Sequence, residues 1–141
     1  MNKLEYIRLL NGDIVYIHGS VRVISSCDGY YATYYDEDET LQEVNVNVIE
    51  GIPITTAILE KNGWKKVAMS RGVKNSHLVY TKSDIEEYGY FPIYIEKGIG
   101  DEFDVYPFTD NNICKQIAYI KYVHQLQHLL FGLGINHKME V

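Results

Sequence analysis

The stretch Tyr119 to Ile135, YIKYVHQLQHLLFGLGI, is the only long segment of the chain with a clear helical period. On a wheel of about 100° per residue, Tyr119, Tyr122, Val123, Leu126, Leu129, Leu130 and Leu133 form one apolar stripe. His124, Gln125 and His128 lie away from its centre. Gly134 is a stop signal: as a left-handed residue just past the helix, it would let Ile135 fold back onto Leu130. The start is less defined, with Thr109, Asp110, Asn111 and Asn112 all suited to cap, and the spacing places it between 112 and 118. A closing helix of this kind needs a sheet to cover. Ile120 and Phe131 stand to one side of the stripe, near His124 and Gln127 on the wheel.

The rest of the chain supplies short strand-like runs. Asn11-Gly12-Asp13 reads as a turn, followed by strands over Asp13 to Ile17 and Val21 to Ser25 joined around His18-Gly19-Ser20. Asp28-Gly29 signals a hairpin with a type I′ turn. Tyr30 to Tyr35 follows, then the acidic Asp36 to Glu39 as a solvated tip. Val44, Val46 and Val48 alternate with asparagines as a strand buried on one face. Thr55 or Thr56 caps a short helix that ends at Gly63, with Trp64 folding back onto Leu59 as a core residue. A second meander reads over Lys65 to Ser70, His77 to Lys82, Phe91 to Glu96 and Phe103 to Phe108, with a single helical turn from Ser83. The predicted fold is α+β. An N-terminal antiparallel SH3-like small β-barrel or curled sheet spans 1–51. Residues 52–141 hold the linking helix and a second β-meander packed by the C-terminal helix, the two parts forming one compact unit.

Composition narrows the function. Hydrophobic residues at 46% suffice for a core, and no apolar run reaches the ~20 residues that span a bilayer. The opening MNKLEYIRLLNGD lacks a secretory h-region, so a cytoplasmic location in the host cell is expected, with no membrane partner. Cys27 and Cys114 lie in no C-x-x-C motif and read as free thiols. The net charge of −6 and the absence of a basic run disfavour nucleic acid as a partner.

No nucleotide-binding or nucleophile-elbow motif is present. His124 and His128 form an H-x-x-x-H pair on one helix face, but the position after the first histidine is Gln125, which cannot serve as the base of a zincin. A third ligand would have to come from His18, His137, Cys114 or a carboxylate. The two histidines therefore read as a polar flank. No catalytic residue, metal site or cofactor is expected. The 13 tyrosines suit half-buried strands and binding surfaces alike.

The segment KYVHQLQHLLFGLGI, Lys121 to Ile135, resembles the tail of a group of small Bacteroidetes proteins encoded mostly by phages and other mobile elements, KYVHQLQNLYFALTGEEL. GIPITTAILEKNGW, Gly51 to Trp64, is similar to that group's I-x-P-I-x-L-T-x-x-x-L-x-x-x-G-F segment, and Ile7 to Val15 is loosely similar to its LRIGNYV opening. Asn136-His137-Lys138 departs from the group's acidic close. The resemblance implies an accessory protein of a phage or prophage and carries over no catalytic residue. The combined expectation is a non-enzymatic protein that binds a macromolecular partner, a host defence component among the options, or a second copy of itself. The alternative is a protein that binds or sequesters a nucleotide-type small ligand. Ile120, His124, Gln127, His128 and Phe131 are the predicted contact surface.

Overall fold

The computed structural model describes residues 9–70, 76–82, 93–98, 100–107 and 118–141. Among these residues are two antiparallel five-stranded sheets and two α-helices. Contacts divide the chain into two units, Met1–Pro53 with Tyr122–Met139, and Ile54–Lys121 with Glu140–Val141.

In the first unit, β1 (Ile14–Ile17), β2 (Ser20–Cys27), β3 (Tyr31–Tyr35), β4 (Leu41–Asn45) and β5 (Ile49–Gly51) assemble in the order β4-β3-β2-β1-β5. The sheet is open, with β4 and β5 at its edges, and no pairing among the described residues closes it into the SH3-like barrel considered above. Its core lies on one face, where Val15, Ile17, Ile24, Ala32, Tyr34 and Ile49 pack with Leu9 and Val46. The β1–β2 hairpin turns at His18 and Gly19, with φ of 50° and 79°, between the paired Ile17 and Ser20. Two consecutive left-handed residues are the type I′ requirement. It is thus met here and not at Asp28-Gly29, where only the glycine has positive φ. Asp28 instead holds its hairpin with its carboxylate, which accepts the N–H groups of Tyr30 and Tyr31.

The alternating valines do not form one strand. β4 ends at Asn45, and Val46–Val48 is a 3-10 turn. Asn45 Oδ1 accepts the Asn47 N–H at 2.9 Å. This local bond competes with ladder pairing, a known property of asparagine. Val46 is buried and Val48 is exposed as a result.

In the second unit, α1 (Thr56–Lys61) is capped by Thr55, whose hydroxyl accepts the Ile58 N–H at 3.1 Å. It ends in a Schellman pair: Trp64 N–H to Leu59 C=O at 3.0 Å and Gly63 N–H to Glu60 C=O at 3.1 Å. Trp64 is buried, as the sequence predicts. The strands β6 (Lys65–Ser70), β7 (Ser76–Thr81), β8 (Ile93–Lys97), β9 (Phe103–Pro107) and β10 (Ala118–Ile120) form a meander in the order β10-β9-β8-β7-β6. Ile93, Ile95, Phe103 and Val105 alternate inward along β8 and β9. The turn expected from Ser83 and the helix caps expected at 109–112 lie outside the described residues.

The second helix, α2 (Val123–Gly132), starts later than the period suggests. Tyr119 and Ile120 belong to β10, which pairs with β9, and Tyr122 bridges Pro53. A run such as Ala118-Tyr119-Ile120 satisfies the strand period as well as the helical one, and pairing with β9 decides it. The C-terminus of α2 follows the sequence signal: Gly134 has φ of 71°, and Ile135 N–H reaches Leu130 C=O at 2.9 Å. The sequence boundary at 51/52 put α2 on the second meander. By contacts, residues 122–139 group instead with the first sheet.

Two outcomes follow from the local geometry. Gly63 holds φ of 87°, and an added Cβ would stand 3.4 Å from Lys82 Cε. Gly63→Ala should lower stability by about 1–2 kcal/mol in urea unfolding, the cost of a left-handed non-glycine residue. In the β3–β4 hairpin, Thr40 N–H and the Gln42 side chain hold the Asp36 carboxyl below its ordinary value. A carboxyl depressed in the folded state stabilises above its unfolded value and loses that contribution as pH falls through the folded one. Between about pH 5 and pH 2, urea midpoints of Asp36→Asn should therefore fall less steeply than those of the parent chain.

Candidate functional site

The polar centre of the first unit is built on Gln127. Its side chain is fully buried on α2, between Leu126 and the half-buried His128. The amide oxygen accepts the Ile14 N–H at 2.9 Å, and the amide nitrogen donates to Gly12 C=O at 2.8 Å and to His137 C=O at 3.2 Å. On the other side of β1, Asp13 C=O accepts the Ile24 N–H from β2. Ile14 N–H points the opposite way, toward the side where β5 ends at Gly51. The Gln127 amide thus extends the pairing of β1 beyond β5, offering the acceptor and donor that another strand residue would offer.

Beside it lies Asp13, 1% exposed. Its Oδ2 accepts the Leu10 N–H at 2.8 Å and meets His128 Nε2 at 2.6 Å. His128 also stands edge-on to His124, with ring centroids 5.8 Å apart, and His124 stacks on Tyr122 at the same separation. Phe131 is 57% exposed and meets the His137 ring edge-on at 5.1 Å. Together Leu10, Asn11, Asp13, Gln127, His128, Phe131 and His137 enclose a cavity of about 240 Å³.

The predicted contact surface is therefore divided. Gln127, His128 and Phe131 come together at this cavity. His124 is 2% exposed and offers no surface. Ile120 is a buried strand residue of the other unit, at 3%, because β10 and not the helix carries it. Among the described residues no three His, Cys, Asp or Glu side chains gather into a group that could hold a metal ion. Sequence reading missed Asp13, Leu10 and His137 at this site. Asp13 was visible only as part of a turn, and its pairing with a histidine 115 residues away has no local signature.

A second surface feature lies on the face of the first sheet that turns away from its core. Pairing registers put Val21 and Val23 of β2 on the same side as Tyr31 and Tyr35 of β3 and Leu41 of β4. All five are exposed, between 46% and 60%. Arg22, between the two valines, points to the core side: its guanidinium lies 5.2 Å from the Tyr34 ring centroid and pairs with Glu37 at 2.7 Å. A groove of about 410 Å³ runs along β2, lined by Val21, Val23, Ser25 and Tyr35 among others. Asn11 lines both this groove and the cavity. Among the described residues no helix is long and apolar enough to cross a membrane.

The Gln127 amide is open to a direct check. Gln127→Leu keeps the volume but leaves Ile14 N–H and Gly12 C=O buried without partners. It should cost about 2–4 kcal/mol in urea unfolding. Phe131→Ala, at an exposed position, should change stability by less than about 0.5 kcal/mol.

Comparison with protein-family models, curated proteins and solved structures returned no match for this chain.

Proposed function

We propose that this chain is a non-enzymatic binding protein that presents the outer face of its first sheet to a macromolecular partner. The observation that carries this reading is the cluster of Val21, Val23, Tyr31, Tyr35 and Leu41, large apolar side chains left exposed on one face. Contiguous apolar surface rimmed by polar residues marks interaction sites, and tyrosine is enriched at the centres of interfaces. The rim here is acidic: Glu37, Asp38 and Glu39 at the β3–β4 tip and Glu43 on β4 are exposed. Such a rim favours a partner with a basic surface and speeds its encounter.

The resemblance of Lys121 to Ile135 to phage and mobile-element proteins supports an accessory role in a host cell, with a host defence component as the target class. An acidic, apolar-centred surface suits a protein whose own ligand is DNA, because it offers that protein a comparable charge. Reaction chemistry has less support. Asp13 and His128 form an acid–base pair, but none of the described residues lining its cavity carries a hydroxyl or thiol to act as nucleophile.

A Val23→Lys/Tyr35→Ser double variant tests the reading. Both positions are exposed, so the melting temperature and circular dichroism should stay close to the parent values. Proteins captured from host lysate by the parent chain should fall to background with the variant. Equal capture by both chains would remove this face from the function.

A further inference from the structure

The cavity beside Asp13 and His128 has apolar walls and few polar groups left to offer. Leu10 and Phe131 line it, and both are exposed large apolar side chains. The buried polar groups around it are committed elsewhere. The Gln127 amide, fully buried, gives its oxygen to Ile14 N–H and its nitrogen to the carbonyls of Gly12 and His137. Asp13 is 1% exposed, and its Oδ2 takes Leu10 N–H and meets His128 Nε2. Neither side chain has surface to present to an occupant. The polar character that remains belongs to the exposed Asn11 amide and to the His137 ring. An amide both donates and accepts, and so does a neutral imidazole. Such groups suit a hydroxyl or an amide, which does the same.

Charge of either sign fits poorly. Taking an ion out of water is costly unless a group of opposite charge meets it. Among the described residues lining the cavity there is no Lys or Arg for an anion, and the one carboxylate is enclosed and held against His128. An uncharged occupant avoids that cost and gains from the burial of its apolar surface. Size narrows it further. An apolar cavity of about 150 Å³ takes one benzene ring, and sites for drug-sized ligands begin near about 300 Å³. The present 240 Å³ lies between them and suits one ring with a short arm.

We propose that this cavity is a binding site for a small uncharged organic molecule, about one aromatic ring in size with a hydroxyl or amide arm. The ring packs against Leu10 and Phe131, and the arm exchanges hydrogen bonds with the Asn11 amide. This reading does not rest on the partner-binding face, and either can fail without the other.

Benzyl alcohol, benzylamine and benzoate share one ring and differ in charge. Titrated separately into the full chain at neutral pH and followed by two-dimensional NMR, they test the proposal. Benzyl alcohol should shift the Gln127 side-chain amide, His128 and Phe131 signals saturably, and should bind at least about tenfold tighter than either ion. Leu10→Ser and Phe131→Ala each remove apolar wall at an exposed position. Each should weaken benzyl alcohol by at least about threefold while the melting temperature stays close to the parent value. The proposal is overturned if either ion binds within about tenfold of the alcohol, if either folded variant keeps the parent affinity, or if no probe moves these signals.

Discussion

The first unit depends on one side-chain amide. Burying Gln127 takes a polar group out of water, which is unfavourable unless its donors and acceptor are met. All are met, by Ile14, Gly12 and His137. The same three bonds fix three things at once: the edge of β1 past the end of β5, the placement of α2 against that strand, and the path of the chain after the helix. Asp13 is set by the neighbouring turn, where its N–H reaches Leu10 C=O and its carboxylate reaches back to Leu10 N–H. His128 then meets Asp13 because it follows Gln127 on the helix. The cavity is a by-product of this arrangement: the space left where a helix, a turn and a tail are tied together by polar groups.

Local chemistry was legible in the sequence. Thr55 caps α1, Gly63 and Gly134 end the two helices, and Trp64 and Ile135 fold back onto the residues expected. Each of these depends on groups within about six residues, so spacing is enough to find them. The α+β class was legible for the same reason, as the sum of short strands and two capped helices. What failed was decided at long range. Tyr119 and Ile120 fit either period, and β9 makes them a strand. The assignment of α2 to a sheet rests on bonds between residues more than a hundred positions apart.

The candidate site was half legible. Gln127, His128 and Phe131 were found from the helix wheel, although Gln127 serves mainly to join α2 to β1. The exposed valines of β2 were hidden by a conflict of patterns. In Val21-Arg22-Val23 the valines would ordinarily face the core and the arginine the solvent. Ile24 and Tyr34 fix the opposite register, and Arg22 adapts by lying over Tyr34 and reaching Glu37. A charged residue turned inward between two exposed apolar ones breaks a local rule, and such breaks gather where surfaces have work beyond folding.

The 113-residue separation between Ile14 and Gln127 has a consequence for biosynthesis. The N-terminal sheet leaves the ribosome first, yet the edge of β1 stays without its amide partner until the whole second meander has been made. During that interval the bare strand edge and the apolar outer face are exposed together, a combination that favours pairing with other chains. Glu43, at the centre of the edge strand β4, guards the opposite margin: a second β4 brought alongside with these residues opposed would set carboxylate against carboxylate. The nascent chain is therefore protected at one margin by charge, while the other waits for translation to reach its own helix.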